Sequence, residues 1–397
     1  MKILFPLGTL YPSQAGGPSN TIYWLAKALV KKGVEVSIVT THIGAENKVS
    51  VNKAIETEYG KVTYFSDNID QLPFQLMVNA LRQVRHHDCI HLTSIFYPPS
   101  FIIATAAKWM KKPVIWSCRG NLHHHALQIS AWKKRPVLWY IKKYLSGRVT
   151  FHATSTEESE HIRRIFGPAV KIVEVPNYIE LPEPIPHDFE GKPYLLYVGR
   201  IHHIKALDKL LEAIHIAVNF KKSDMPFKIA GDADNDFGRA LKRLVSEMGL
   251  SERIEFLGQV EGLEKQQLYA AAKFTILPSN SENFGNVVIE SLAQGTPAIA
   301  STGTPWQILE TERAGFWTKN DPEELSLAIN RALSLSADEY RAYRQHALAL
   351  ARKKFDVFEN VNQWMDVYQS VINNHSSSLD DNGTTKDSGQ RHHPDIQ

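Results

Sequence analysis

Along most of this chain, short apolar runs alternate with longer stretches in which apolar residues recur every three or four positions. The runs at 2–8, 34–41, 61–66, 89–94, 113–118, 149–155 and 171–177 read as buried strands. The stretches between most of them read as helices. In "SNTIYWLAKALVKKG", Ile22, Leu25, Ala26 and Leu29 fall on one stripe, and Gly33 is the stop. Strands alternating with helices predict a mostly parallel sheet covered on both faces. The pattern breaks at "NYIELPEPIPHDFEGKP", which is rich in proline and charge and suits an extended linker. It then restarts, with strands expected at 194–200, 227–232, 253–260, 274–279 and 297–302. The expected organisation is therefore a first α/β domain over 1–178, a hinge over 179–193 and a second α/β domain over 194–355. An amphipathic helix follows at 356–373, with Phe358, Val361, Trp364, Met365, Tyr368 and Val371 on one stripe. The polar remainder, 374–397, lacks periodicity and reads as disordered.

Length agrees with two domains: 397 residues exceed one ordinary core. The 45 basic and 42 acidic residues nearly balance, which argues against a nucleic-acid partner. Two cysteines, Cys89 and Cys118, give no disulfide framework and point to a reducing, cytoplasmic setting. The opening "MKILFPLGTLYPS" lacks the long apolar core of a secretory signal, and no run is long enough to cross a membrane. The segment 131–148, "AWKKRPVLWYIKKYLSGR", mixes lysine and arginine with tryptophan and tyrosine. That mixture suits the inner surface of a plasma membrane, but Trp139, Tyr140 and Leu145 equally suit the buried side of a helix.

Open α/β sheets bind ligands beyond the carboxyl ends of their strands, so the loops there are the places to inspect. Gly16 and Gly17, after the first strand, permit close approach of a ligand ahead of a helix N-terminus. The loop matches neither a P-loop nor G-x-G-x-x-G. In "VGRIHHIKALDKLLEA", Arg200 closes a strand and Lys205 precedes a helix. The two could clamp a diphosphate, though an isolated arginine and lysine are more simply solvated charges. In "PSNSENFGNVVIESLAQGTP", Glu282 follows a strand and Glu290 comes eight residues later on a helix starting near Asn286. At about 1.5 Å per helical residue the two acids lie at most about 12 Å apart, the span from ribose to sugar in a nucleotide sugar. Carboxylates accept hydrogen bonds from sugar hydroxyls. Spacing alone leaves open that Glu282 is a helix-start carboxylate and Glu290 a surface residue.

Other polar clusters carry less. Asp232 and Asp234 form a D-x-D, yet the glycine and glutamate positions of a calcium loop are wrong, and a helix cap is expected. The histidine runs at 86–87, 123–125 and 202–203 do not share helix faces or match zinc spacing. No G-x-S-x-G nucleophile elbow is present.

Taken in order, the Gly16–Gly17 loop, "VPNYIE", "YVGRIHHIK", "FLGQV" and "PSNSENFGNVVIESLAQGTPAIAS" resemble the family-4 retaining glycosyltransferases of GT-B fold, over about residues 1 to 373. That fold places two Rossmann-like parallel-sheet domains around a cleft, with a C-terminal crossover helix on the first domain. The resemblance implies that Arg200 and Lys205 neutralise the leaving diphosphate and that Glu282 contacts the donor sugar and Glu290 the ribose. It implies that amides of Asn283, Phe284 and Gly285 hold sugar and phosphate oxygens, that Gly17 approaches the phosphates, and that Gly258 lines the base pocket. Many relatives carry a histidine after the strand equivalent to "PVIWSC"; here Arg119 is the candidate in its place. The implied reaction moves a sugar from a nucleotide-diphosphate donor to a hydroxyl of a sugar or lipid-linked sugar, without a metal cofactor. "WSCRGNL" and the basic aromatic segment after it are similar to enzymes of bacterial surface polysaccharide synthesis. A 2-epimerase of the same fold and a non-catalytic sugar-nucleotide binder are the alternatives.

Overall fold

The computed structural model describes residues 1–13, 17–67, 72–186 and 192–384. Gly16, residues 187–191 of the hinge and the tail from 385 on lie outside that set. The chain divides into two compact units: Met1–Val175 with the chain from Val361 on, and Pro176–Asn360.

The first unit holds an eight-stranded sheet. Its strands are β1 (Lys2–Pro6), β2 (Glu35–Thr41), β3 (Ala54–Thr57), β4 (Gly60–Phe65), β5 (Cys89–Thr93), β6 (Val114–Ser117), β7 (Thr150–Ala153) and β8 (Lys171–Glu174). They lie in the order β3-β4-β2-β1-β5-β6-β7-β8. All pairs are parallel except β3 with β4. β3, absent from the apolar pattern, is a half-exposed edge strand joined to β4 by a tight turn, so burial left no mark on its sequence. The central strands are buried throughout, which is why they read as continuous apolar runs.

The second unit holds β9 (Tyr194–Val198), β10 (Phe227–Ala230), β11 (Ile254–Gly258), β12 (Ala272–Leu277), β13 (Ala298–Ser301) and β14 (Gly315–Thr318), all parallel, in the order β11-β10-β9-β12-β13-β14. β14 is four residues long and gives too short a run to be read from sequence. Alternation along β9 sends Leu195 and Tyr197 into one core, with Leu207, Leu210 and Phe274. Tyr194, Leu196 and Val198 enter the other, with Tyr269.

Two boundaries differ from the sequence reading. The first unit ends at Val175, and the described part of the proline-rich stretch is fastened to the second unit rather than hanging free. The Ile179 amide donates to the Phe355 carbonyl (3.0 Å), and the Ile185 amide to Gln294 Oε1 (2.9 Å). The last helix runs Val357–Thr384, past the end expected at 373 and through residues read as disordered. Extending a helix already nucleated is far easier than starting one. From Val361 this helix belongs to the first unit, where Trp364 and Tyr368 are buried against His91 on β5.

Candidate functional site

From β9 the chain winds outward through β10 and β11, then crosses back to lay β12 on the other side of β9. The gap between the ends of β9 and β12 is the switch point at which a parallel sheet opens a ligand crevice. Arg200 and Lys205 follow β9, and Glu282–Gly285 follow β12, so the sequence-derived candidates flank it.

The two loops are bound to each other. The Asn280 amide donates to the Ile204 carbonyl (2.8 Å), and its side chain donates to the His203 carbonyl (3.2 Å). Lys209 donates to Asn280 Oδ1 (3.2 Å). The Glu282 amide donates to the Gly303 carbonyl (2.8 Å). This stitching places the Lys205 ammonium directly on Glu282 Oε2. Both side chains are half-buried, at 13% and 18% exposure. Arg200 is exposed beside it, its carbonyl held by the Tyr197 hydroxyl (2.8 Å). Burial first, then the Glu282 charge, push the Tyr197 phenol upward, so it stays a neutral donor.

Gly285 sits at φ +85°, immediately ahead of the helix Asn286–Ala293. A Cβ there would lie 2.8 Å from Leu277 Cδ2, so the turn that presents this helix N-terminus needs glycine. The Phe284 ring is buried against Trp306 and Phe355, and its carbonyl accepts from Trp306 Nε1 (2.5 Å). Phe284 thus anchors the loop through both its ring and its carbonyl. Asn177, from "VPNYIE", donates to Asn286 Oδ1 (3.0 Å) and braces the same helix start.

Glu290 lies further along that helix, half-buried. Its Oε2 accepts from Lys265 (2.7 Å) and from the Tyr269 hydroxyl (2.9 Å). Each acid of the pair is therefore held by a lysine through Oε2. Among the described residues, Oε1 of neither acid has a hydrogen-bond partner. Lys265 and Tyr269 carry no sequence signal, because only the fold brings them to Glu290. Gly258, two strands away on the same edge, sits at φ +75° and accepts from the Gly231 amide (2.7 Å). The Asp232–Asp234 loop is a turn, with Asp232 Oδ1 accepting from the Asp234 amide (2.8 Å), and Asn235 caps the helix after it.

Gly17 and Arg119 are on the first unit. Gly17 is the first residue of the helix Gly17–Lys31. Arg119 follows β6 at φ +54°, half-buried. Burial lowers its pKa to about 10, with the Glu158 charge opposing the fall. Glu158 is buried and accepts from the Gly120 amide (2.7 Å), the Thr154 amide (2.8 Å) and the Thr154 hydroxyl (2.9 Å). It tethers the Arg119 turn to the helix Thr156–Phe166, and its only sequence signal is the Ser155-x-x-Glu158 helix start. His123, Glu157 and His161 also gather there, as the only group among the described residues with ligand atoms close enough to share a metal ion.

Residues 183–349 match the family model for glycosyl transferases group 1, and residues 16–178 match the glycosyl transferase 4-like domain. The chain is 28% identical to the glycosyltransferase MJ1607 of Methanocaldococcus jannaschii over 187 residues, 46% of this chain and 45% of that one. It is 36% identical to a D-inositol 3-phosphate glycosyltransferase of Nocardia farcinica over 118 residues, 28% and 26% of the two chains. These alignments span less than half the length of the curated relatives. Among solved structures, Anabaena HepE in complex with UDP and glucose superposes with a TM-score of 0.74 at 20% identity, covering 93% of this chain and 99% of that one. Sucrose-phosphate synthase from Thermosynechococcus elongatus gives 0.72 at 20%, covering 93% and 98%. With a 4-like domain matched on the first unit, a group 1 domain on the second and the GT-B fold throughout, the chain belongs to the group 1 glycosyltransferases.

Proposed function

We propose that the protein transfers a sugar, with retention of anomeric configuration, from a nucleoside-diphosphate sugar to a hydroxyl of a sugar or lipid-linked sugar in bacterial surface polysaccharide synthesis. The observation that carries this reading is the Lys205–Glu282 pair, set beside Arg200 and a helix N-terminus at the switch point of the second sheet. As the bond to the anomeric carbon breaks, positive charge develops on the sugar and negative charge on the departing diphosphate. Arg200, Lys205 and the first amides of the helix Asn286–Ala293 stabilise the diphosphate. Glu282 and Glu290 accept from donor hydroxyls through their unengaged oxygens, while Lys205 and Lys265 fix the orientation of each acid. Gly258 lines the base pocket. HepE's complexes with UDP support a uridine diphosphate donor. With two cations at the diphosphate the transfer needs no divalent ion there, so activity persists in EDTA.

The test is Arg200→Ala with Lys205→Ala, assayed against sugar nucleotides first ranked by thermal shift. A fall in kcat of about 10³-fold or more is expected with the fold kept. Undiminished transfer removes the clamp, and epimerisation of the sugar nucleotide without any acceptor reassigns the chain to an epimerase.

The acceptor side of this reading includes a membrane surface. Trp132 is 75% exposed, Ile129 70% and Trp139 57%, with Lys133, Arg135, Lys142 and Lys143 also exposed. Leu145 and Ile141 point into the core, and Lys134 is turned inward over the Phe96 ring. No described helix is long and apolar enough to cross a membrane. Aromatic tips amid cations suit the interface of an anionic bilayer and support a reading of contact at the cytoplasmic face. Wild type should sediment with anionic vesicles and not with neutral ones, and Trp132→Ser with Trp139→Ser should lose that sedimentation.

A further inference from the structure

The turn after β6 carries His123, and the helix Thr156–Phe166 carries Glu157 and His161 one turn apart on a shared face. One ligand atom from each lies within 4.8 Å of the others. Glu158, adjacent to Glu157, draws the turn onto the helix by accepting from the Gly120 amide, and the His123 amide closes the turn on the Gly120 carbonyl (3.2 Å). The two imidazole rings stand 4.5 Å apart between centroids at 61°.

His161 adds an independent sign. Its Nδ1 is buried and has no hydrogen-bond partner among the described residues. A buried imidazole nitrogen without a partner is costly.

We propose that His123, Glu157 and His161 bind a divalent transition-metal ion, zinc by donor set, on the carboxyl edge of the first unit's sheet. Two imidazole nitrogens and one carboxylate oxygen form a three-ligand set that zinc accepts with water as the fourth ligand, whereas calcium and magnesium select oxygen. Ligands about 2.0–2.1 Å from a tetrahedral ion lie roughly 3.4 Å apart, so closure needs only side-chain rotation of the order of 1 Å. Glu157 is exposed, which leaves the ion a path from solvent. The ion takes no part in sugar transfer. It fastens the turn that bears Arg119 to the helix Thr156–Phe166, in parallel with Glu158. The spacing test missed it because residues 123 and 161 are far apart in sequence, and adjacency within 123–125 is irrelevant to it.

The experiment uses the full chain, stripped with a chelator, dialysed and titrated with zinc chloride by calorimetry. Cobalt substitution serves as a second, spectroscopic readout. One zinc per chain is expected, with visible cobalt bands of a low-coordinate nitrogen site. His123→Ala and His161→Ala should each weaken zinc by more than about 100-fold, beyond the range for losing a supporting residue. Replacing His392 and His393 should leave the tight site unchanged. Glu157→Gln should weaken zinc at least about tenfold, and because Glu157 is exposed it carries the test if a histidine variant misfolds. The proposal is overturned if wild type binds no zinc below about 100 µM. It is equally overturned if tight binding survives the loss of His123 and His161.

Discussion

The two sheets share a topology, yet polar groups serve opposite ends in them. At the switch point of the second unit the polar groups are charged and half-open to water: Lys205 on Glu282, Lys265 on Glu290, Arg200 exposed beside the first pair. In the core of the first unit one set of polar groups is neutral and buried. Tyr368, His91, Ser117 and His152 form one hydrogen-bonded chain ending on the Val175 carbonyl, with spacings of 2.6, 2.8, 2.7 and 2.8 Å. Because the carbonyl can only accept, His152 Nε2 must donate to it, leaving Nδ1 to accept from Ser117. Ser117 then accepts from His91 Nε2, and His91 Nδ1 accepts from the Tyr368 hydroxyl. Each bond fixes the sense of the next. Burial lowers both imidazole pKa values, with the Arg119 charge acting in the same direction, so the chain is uncharged. It joins three neighbouring strands to the last helix and to Val175, the point where the first unit ends. Charges half-open to water can act on a ligand, whereas a neutral, fully paired chain can only hold parts together.

The comparison is broken most directly at its charged end. Glu282→Gln removes the partner of Lys205 and the acceptor for a donor hydroxyl, and kcat should fall about 10²–10³-fold. The melting temperature should move by no more than about 2–4 °C, since the pair is near the surface. Ser117→Ala is the counterpart. It leaves the His91 Nε2–H without an acceptor and His152 Nδ1 without a donor, each costing about 1–3 kcal/mol. The urea midpoint should drop, while activity per folded molecule stays at the wild-type level. A large loss of kcat without a loss of stability would remove the distinction between the two regions.

The two regions also differed in how far the sequence revealed them. Arg200, Lys205 and Glu282 sit a few residues past strands with clear apolar runs, and Glu290 sits on the helix that follows, so local pattern alone shows where on these elements they fall. What the pattern could not show is pairing. Lys205 and Glu282 were read as separate contacts, and Lys265 and Tyr269 were not read at all, because each pairing is made by strand order. The neutral chain was wholly hidden. His91 and His152 sit in strands that read as apolar, and Tyr368 reaches them from the far end of the sequence. Edge elements such as β3, and a helix end made of serine and asparagine, leave no periodic signal.

A smaller effect separates the regions by pH. In the unfolded chain a histidine titrates near 6.5; in the folded protein His152 is held down to about 3 by burial first, then by the Arg119 charge. Between those values the unfolded chain binds a proton that the folded chain refuses. The stability due to the neutral ring is therefore complete above about pH 6.5 and declines as pH falls toward about 3. For His152 the slope reaches about 1.4 kcal/mol per pH unit, and His91 adds to it. Between pH 6.5 and 5, before ordinary carboxylates titrate, wild type should lose stability to urea, and a variant with both histidines replaced by glutamine should show a flatter profile.

The finest distinction is within the charged edge itself, between two glycines at similar backbone angles. Gly285 is at φ +85° with Leu277 and Glu282 against the space a Cβ would fill, whereas Gly258 is at φ +75° with nothing within 4 Å. Alanine at 258 meets only the left-handed backbone cost of about 1–2 kcal/mol. Alanine at 285 meets that cost and a 2.8 Å contact with Leu277 Cδ2, which forces the turn carrying Glu282 to shift. Gly258→Ala should lower the urea midpoint slightly and leave kcat near wild type. Gly285→Ala should lower both, because a displacement of even about 1 Å at the reacting groups costs up to about 10²-fold in rate. Equal stability loss with equal activity in the two variants would mean that the turn at 285 does not position the acid, and the presentation of Glu282 would have to be sought in its bond to Gly303 instead.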